Sequence, residues 1–218
     1  MKKSVSPTQK ALNLWSIILI IWAIYRAKLR MPEWFDEFIA KPLVFILPVY
    51  YYIKKVEKKG FLSRIDFQKK LSRFDLSIIL TIGAVFIISA VIANFIKYKK
   101  IIFLQQPINP ESLFYIILLA LATGISEEIL SRGFVLKRLY EESKNIFTSS
   151  FFASILFFFL HVPILFANQQ LSGNILLMLL ATDMILSLVS SFIFLERKNL
   201  VLPILIHSFY NLSIILFL

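Results

Sequence analysis

Apolar positions along this chain come in long blocks separated by short charged segments. The blocks cover Ala11–Tyr25, Pro42–Ile53, Leu76–Ile96, Leu113 to about Tyr140, Ile146–Val162, Ile175–Leu195 and Val201–Leu218. Most are close to the roughly 20 residues that a helix needs to cross a hydrocarbon core. Pro42–Ile53 is short, and it is either a tilted span that reaches back to Phe38 or a re-entrant segment; Tyr50, Tyr51 and Tyr52 give it an interfacial belt. The pattern predicts an all-α, polytopic transmembrane helix bundle of about seven spans (six to eight), with any active site between helices. Residues 1–112 hold the N-terminal helices and a basic loop, and 113–218 a second helix bundle, all within one integral domain.

The connections carry the turn signals and the charge. Arg26–Lys41 is mixed in charge and contains Pro32 and Trp34, which predicts an interfacial turn. Lys54–Asp75 has eight Lys or Arg against three acids, with Phe61, Leu62, Ile65, Phe67 and Leu71 between them, a partly amphipathic surface segment. Lys97–Glu111 contains Pro107 and Pro110. A loop with Asn168, Gln169, Gln170 and Gly173 follows Pro163, whose position predicts a helix end close by.

Composition agrees with this reading. Hydrophobic residues make up 58% of the 218 and mean hydropathy is +0.77, against roughly 45–50% apolar residues in soluble domains. The absence of cysteine excludes disulfides, thiol catalysis, Cys-based zinc sites and Fe–S clusters. A net charge of +11 does not indicate nucleic acid, because the basic residues lie mostly between apolar runs. There they set topology and attract anionic lipid. Most of them fall on the N-terminal side, which places that side in the cytoplasm of a cell membrane, and the first run reads as a retained helix, with Tyr25-Arg26-Ala27-Lys28 as its stop and no small-residue cleavage site.

Against this background a few polar side chains stand out. Glu127 and Glu128 sit deep in the fourth run, where insertion scales charge roughly 2.5–3.5 kcal/mol per acidic group. Neighbours on a helix point about 100° apart, so the two carboxylates have different tasks. Arg132 lies four residues after Glu128 in the favoured order for an ion pair, leaving Glu127 to face a polar cavity. The alternative is that both acids only satisfy arginine or helix ends. Phe157 and His161 are also four apart, so the ring packs on an imidazole suited to proton transfer or metal binding. His207 and Asn211 repeat that spacing on the last run, where they could hold an oxyanion, ligate a metal, or simply join helices. By length, His161 lies further along its run than Glu127 along its own, so tilt or a low helix start must bring them level. Asp183, in the middle of the sixth run, either pairs with a basic group or lines the cavity.

Taken in order, Glu127-Glu128-xxx-Arg132, Phe157-xxx-His161 and His207-xxx-Asn211 resemble the CPBP family of intramembrane proteases, which includes CAAX prenyl endopeptidases and bacteriocin-processing or abortive-infection proteins. The resemblance covers about Leu113–Leu218; before His207 the chain has Ser190-Ser191 and Glu196-Arg197-Lys198 where many members carry glycines and a different turn. It implies hydrolysis of a peptide bond in a membrane-associated protein or peptide, with prenylated CAAX-type proteins among the candidate substrates. Glu127 would be general base, His161 its assistant, and His207 with Asn211 the oxyanion donors. The family is often described as metalloproteases, so one divalent ion, zinc for example, on Glu127, His161 and His207 is the alternative to no cofactor. No HExxH helix is present, and a metal-free mechanism is preferred. The non-enzymatic reading is a transporter or an immunity protein that uses the same buried polar network.

Overall fold

The computed structural model describes residues 5–29, 31–68, 70–103, 110–167 and 174–217, and side chains outside 164–179. The Asn168–Gly173 loop and Pro107 lie outside the described residues. Eight helices and no strand occur among those described. They are α1 (Pro7–Lys28), α2 (residues 33–57), α3 (Phe61–Arg64), α4 (Arg73–Tyr98), α5 (Pro110–Ser143), α6 (Ile146–Ala167), α7 (Asn174–Arg197) and α8 (Val201–Phe217). By length and composition α1, α4, α5 and the Ile146–Pro163 part of α6 can each cross a membrane, and α8 is a shorter apolar helix.

Local sequence sets the helix starts. Ser6 accepts from the Gln9 N–H with Pro7 in the first turn, and Ser72 with Asp75 forms a reciprocal capping box on α4. Two expectations are corrected. Residues 33–41 are helical and not an interfacial turn, because the second apolar run is extended backwards into α2. Pro163 does not stop α6, which runs on to Ala167; a proline removes one i→i−4 bond, and packing carries the helix past it.

Helix α2 runs antiparallel to α1 over the height of the bundle. Near its start Asp36 accepts from Tyr25 and Arg26 at the end of α1. At its far end Glu57 binds Arg138, whose carbonyl accepts from Thr8 at the start of α1. The short Pro42–Ile53 run therefore belongs to an element that traverses the bundle. Much of α2 is π-wound (Asp36–Ala40, Pro42–Ile46 and Tyr52–Glu57), as is Ile129–Leu136 in α5. Such wider turns gather at functional sites.

Apolar packing divides into two clusters. One joins α1, α2, α5 and α6 around Trp22, Phe45, Leu130, Phe134 and Phe157. The other joins α4, α7 and α8 around Ile79, Leu186, Leu202 and Ile206. Helix α8 is packed against α4, α5 and α7. It approaches α5 closely at Gly124, where a Cβ would lie 2.9 Å from Ser208 Oγ and 3.0 Å from the Ile204 carbonyl. Only glycine admits that approach, one turn before the paired glutamates. Outward faces of α1 and α4 keep Ile20, Ile24, Leu80, Ile88 and Phe95 exposed, as lipid contact requires.

Candidate active site

Glu127 and Glu128 are the last residues of regular α-helix in α5 before the π-wound turn. Ser131 donates its hydroxyl to the Glu127 carbonyl, which gives that acceptor a partner where the helix widens. Their side chains diverge as neighbours must. Glu128, fully buried, accepts from Arg132 Nη1 at 2.8 Å and from His207 Nδ1 at 2.8 Å, both on Oε1. Glu127, 5% exposed, turns the other way. Its Oε1 accepts from Lys41 at 2.8 Å, and its Oε2 lies 3.6 Å from His161 Nε2 and 3.8 Å from His207 Nε2. That Oε2 is buried without a hydrogen-bond partner.

The structure thus brings Glu127, Glu128, Arg132, Phe157, His161 and His207 into one cluster. Phe157 lies at its centre, its ring 4.7 Å from that of His161, 5.9 Å from that of His207 and 4.5 Å below the Arg132 guanidinium. The ring therefore packs on both imidazoles and gives Arg132, 1% exposed, a cation–π partner. Two expectations need amending. Glu127 closes against a lysine where an open polar cavity was expected. Glu128 is more than the partner of Arg132, because it also orients His207.

The tautomers follow from these partners. His161 Nδ1 faces the Phe157 carbonyl at 3.2 Å, so it carries the proton and leaves Nε2 as a lone pair. His207 Nδ1 donates to the Glu128 carboxylate, and again Nε2 points at Glu127. Asn211 is half-buried on the same face of α8 as His207, and its Nδ2 makes no hydrogen bond. A buried amide donor without an acceptor is costly, which suits a group kept for a charge that appears during reaction.

Two functional neighbours escaped the sequence reading. Lys41, 5% exposed, binds both Glu127 and Glu37 (2.7 Å), and Thr123 donates to Glu37 at 2.7 Å. Lys41 begins an apolar run and looks there like a membrane-interface residue. The only available signal was the i, i+4 pairing of Glu37 with Lys41. Asp183 also finds its place: among the described residues it has no ion-pair partner, and it accepts from the Tyr210 hydroxyl at 2.7 Å, which ties α7 to α8.

Glu127, His161 and His207 do not fit a metal as placed here. Among the described residues no group of three His, Asp or Glu side chains has metal-ligand geometry. An ammonium already neutralises the carboxylate that would anchor the ion.

Helices of spanning length that bury carboxylates, cations and histidines at one level define a polytopic membrane protein with a buried polar site. Residues 109–213, which contain all three motifs, match the family model described as type II CAAX prenyl endopeptidase Rce1-like, of the CPBP family. Its general class is accordingly an integral-membrane endopeptidase of the CAAX type, acting on membrane-associated protein. No curated protein and no solved structure gives a significant match. Lys41 and Glu37 lie outside the matched segment.

Proposed function

We propose that the protein hydrolyses a peptide bond near the lipidated C-terminus of a membrane-associated substrate, with Glu127 activating the water and no metal taking part. The observation that carries this is Glu127 Oε2, a buried carboxylate oxygen without a partner, facing the Nε2 atoms of His161 and His207 at 3.6 and 3.8 Å. Glu127 Oε2 and the His161 Nε2 lone pair are then two acceptors with no donor between them, an arrangement that suits a water giving one proton to each.

Glu127 takes a proton from the water as its oxygen attacks the scissile carbonyl carbon. The carbonyl oxygen becomes an oxyanion, held by Asn211 Nδ2–H and His207 Nε2–H. The intermediate collapses, the C–N bond breaks, and the proton taken from water passes through His161 to the leaving amine. The products are an amine and a carboxylic acid, which ionises by releasing the second proton of the water to solvent.

His207 donates from Nε2 only as an imidazolium, since Nδ1–H already serves Glu128. Charge balance supports that state. Glu37, Glu127 and Glu128 oppose Lys41 and Arg132, and one imidazolium makes the buried cluster neutral.

The charged end of the bundle gives the orientation. Glu57, Arg64, Arg138 and Glu141 interlock at the end of the bundle where α1 begins, next to the basic 54–75 segment. The positive-inside rule puts this end in the cytoplasm of the cell membrane, against anionic headgroups.

The test is cleavage of a quenched fluorescent peptide with a farnesylated C-terminal cysteine motif by the purified protein in liposomes. Glu127→Gln is expected to lower kcat by about 10²–10⁴-fold, whereas Glu111→Gln, exposed at the start of α5, leaves it unchanged. A chelator is expected to have no effect. Inhibition by chelator that zinc reverses, or full activity in Glu127→Gln, would overturn the mechanism.

A further inference from the structure

The N-terminal helices share no motif with the C-terminal half, yet α2 reaches the centre of the site. Lys41 Nζ is 2.8 Å from Glu127 Oε1 and 2.7 Å from Glu37 Oε1. Glu37 Oε2 accepts from Thr123 Oγ1 at 2.7 Å, and Thr123 stands one turn before Glu127 on α5. Thr123, Glu37, Lys41 and Glu127 thus close a ring between two helices, two residues on each. All but Thr123 are buried.

A carboxylate on a two-bond stem can rotate, and either oxygen can face a substrate. Here one oxygen is tied to an ammonium that is itself tied to a second carboxylate. Rotation is arrested with Oε2 turned to His161 and His207. The π-wound turns on both sides of Lys41, Asp36–Ala40 and Pro42–Ile46, belong to the same device. A stretch wound at i→i+5 places side chains differently from a regular helix, and such stretches recur where a side chain must be aimed.

We infer that Lys41 is a positioning residue for the hydrolysis, supplied by the N-terminal helix α2: it holds Glu127 Oε1 so that Oε2 alone faces the water and the two histidines. This rests on the proposed role of Glu127 and adds to it the source of that glutamate's aim. It also gives the N-terminal half of the chain a part in the chemistry.

The experiment compares wild type with Lys41→Met/Glu37→Gln, Lys41→Arg and Glu127→Gln in liposomes, on the farnesylated peptide, with thermal melts in detergent as the record of folding. The double variant removes one positive and one negative charge together and keeps the cluster's balance. Its melt is expected to stay near wild type while kcat falls about 100-fold and KM changes by less than about twofold. Lys41→Arg keeps the buried cation and with it the fold, but a planar guanidinium on a longer stem re-aims Oε1. There kcat is expected to fall about tenfold with KM and melt unchanged.

Wild-type kcat in the double variant, or in Lys41→Arg should the double variant not fold, would overturn the inference and leave Lys41 as a charge neutraliser. Glu127→Gln separates the two layers. If it is inactive while the Lys41 variants are not, only the positioning role fails. If it is active, or if wild type itself does not cleave the peptide, the underlying mechanism fails and the inference goes with it.

Discussion

His207 Nδ1 and Arg132 Nη1 both lie 2.8 Å from the same oxygen of Glu128. One buried carboxylate therefore does two things: it neutralises an arginine and sets the direction of an imidazole. Glutamine at position 128 can still accept from His207 but no longer balances Arg132. Alanine does neither, and removing one member of a buried pair costs roughly 3–5 kcal/mol. Glu128→Gln is thus expected to remain folded with kcat lowered about 10²-fold, in the range of a lost charge-assisted contact. Glu128→Ala is expected to melt far below wild type in detergent. Peptide cleavage and the melts together read both effects.

Phe157 separates packing from charge. Its ring fills the space between Arg132 and the two imidazoles. Phe157→Ala opens a cavity there and is expected to cost roughly 3–5 kcal/mol. Phe157→Leu keeps most of the volume and loses the cation–π contact, worth about 2 kcal/mol when desolvated. A melt for Phe157→Leu midway between wild type and Phe157→Ala is the expected result.

The fold class and most of the cluster could be read from the chain because hydrocarbon makes polar residues conspicuous. Glu127, Glu128, His161 and His207 stand inside apolar runs, and i, i+4 spacing already joined Glu128 to Arg132 and Phe157 to His161. Convergence could not be read, since it depends on helix tilt and on the contact at Gly124. Lys41 was hidden for a different reason. A lysine beside a proline at the start of an apolar run looks like an interfacial anchor, and only the extension of α2 back to residue 33 carries it to the level of Glu127. Pro163 misled in the opposite sense, because a proline ends an isolated helix more readily than one packed in a bundle.

Asn211 Nδ2 is a buried donor without a hydrogen-bond partner. Truncating it removes little that holds the protein together. Asn211→Ala is expected to lower kcat by about 10²–10³-fold with the melt near wild type. A large fall in stability with proportionate loss of activity would assign Asn211 to helix packing.

Gly124 sets the distance between α5 and α8. Adding a Cβ at 2.9 Å from Ser208 Oγ and 3.0 Å from a backbone carbonyl forces the helices apart. The hydroxyl can rotate away, but the carbonyl cannot. Gly124→Val is expected to cost about 1–3 kcal/mol through overpacking and to lower kcat more than stability alone explains, because His207 moves with α8 away from Glu128. Gly124→Val with Ser208→Ala relieves the hydroxyl clash only, so it should recover part of the melt and little of the kcat.

Asp183 is the buried-level acid that the proposed mechanism does not use. It accepts from Tyr210, which also lies 2.9 Å from Thr182 Oγ1. A transporter would need Asp183 as a charge on its path, whereas the hydrolase needs only an acceptor for Tyr210. Asparagine keeps that acceptor through its side-chain oxygen. Asp183→Asn is therefore expected to cleave the peptide at the wild-type rate. Tyr210→Phe leaves the carboxylate without this donor and is expected to lower the melt by the equivalent of about 1–3 kcal/mol. Loss of cleavage in Asp183→Asn with an unchanged melt would place the acid in the chemistry and would require a proton path from α7 that the Glu127 mechanism does not contain.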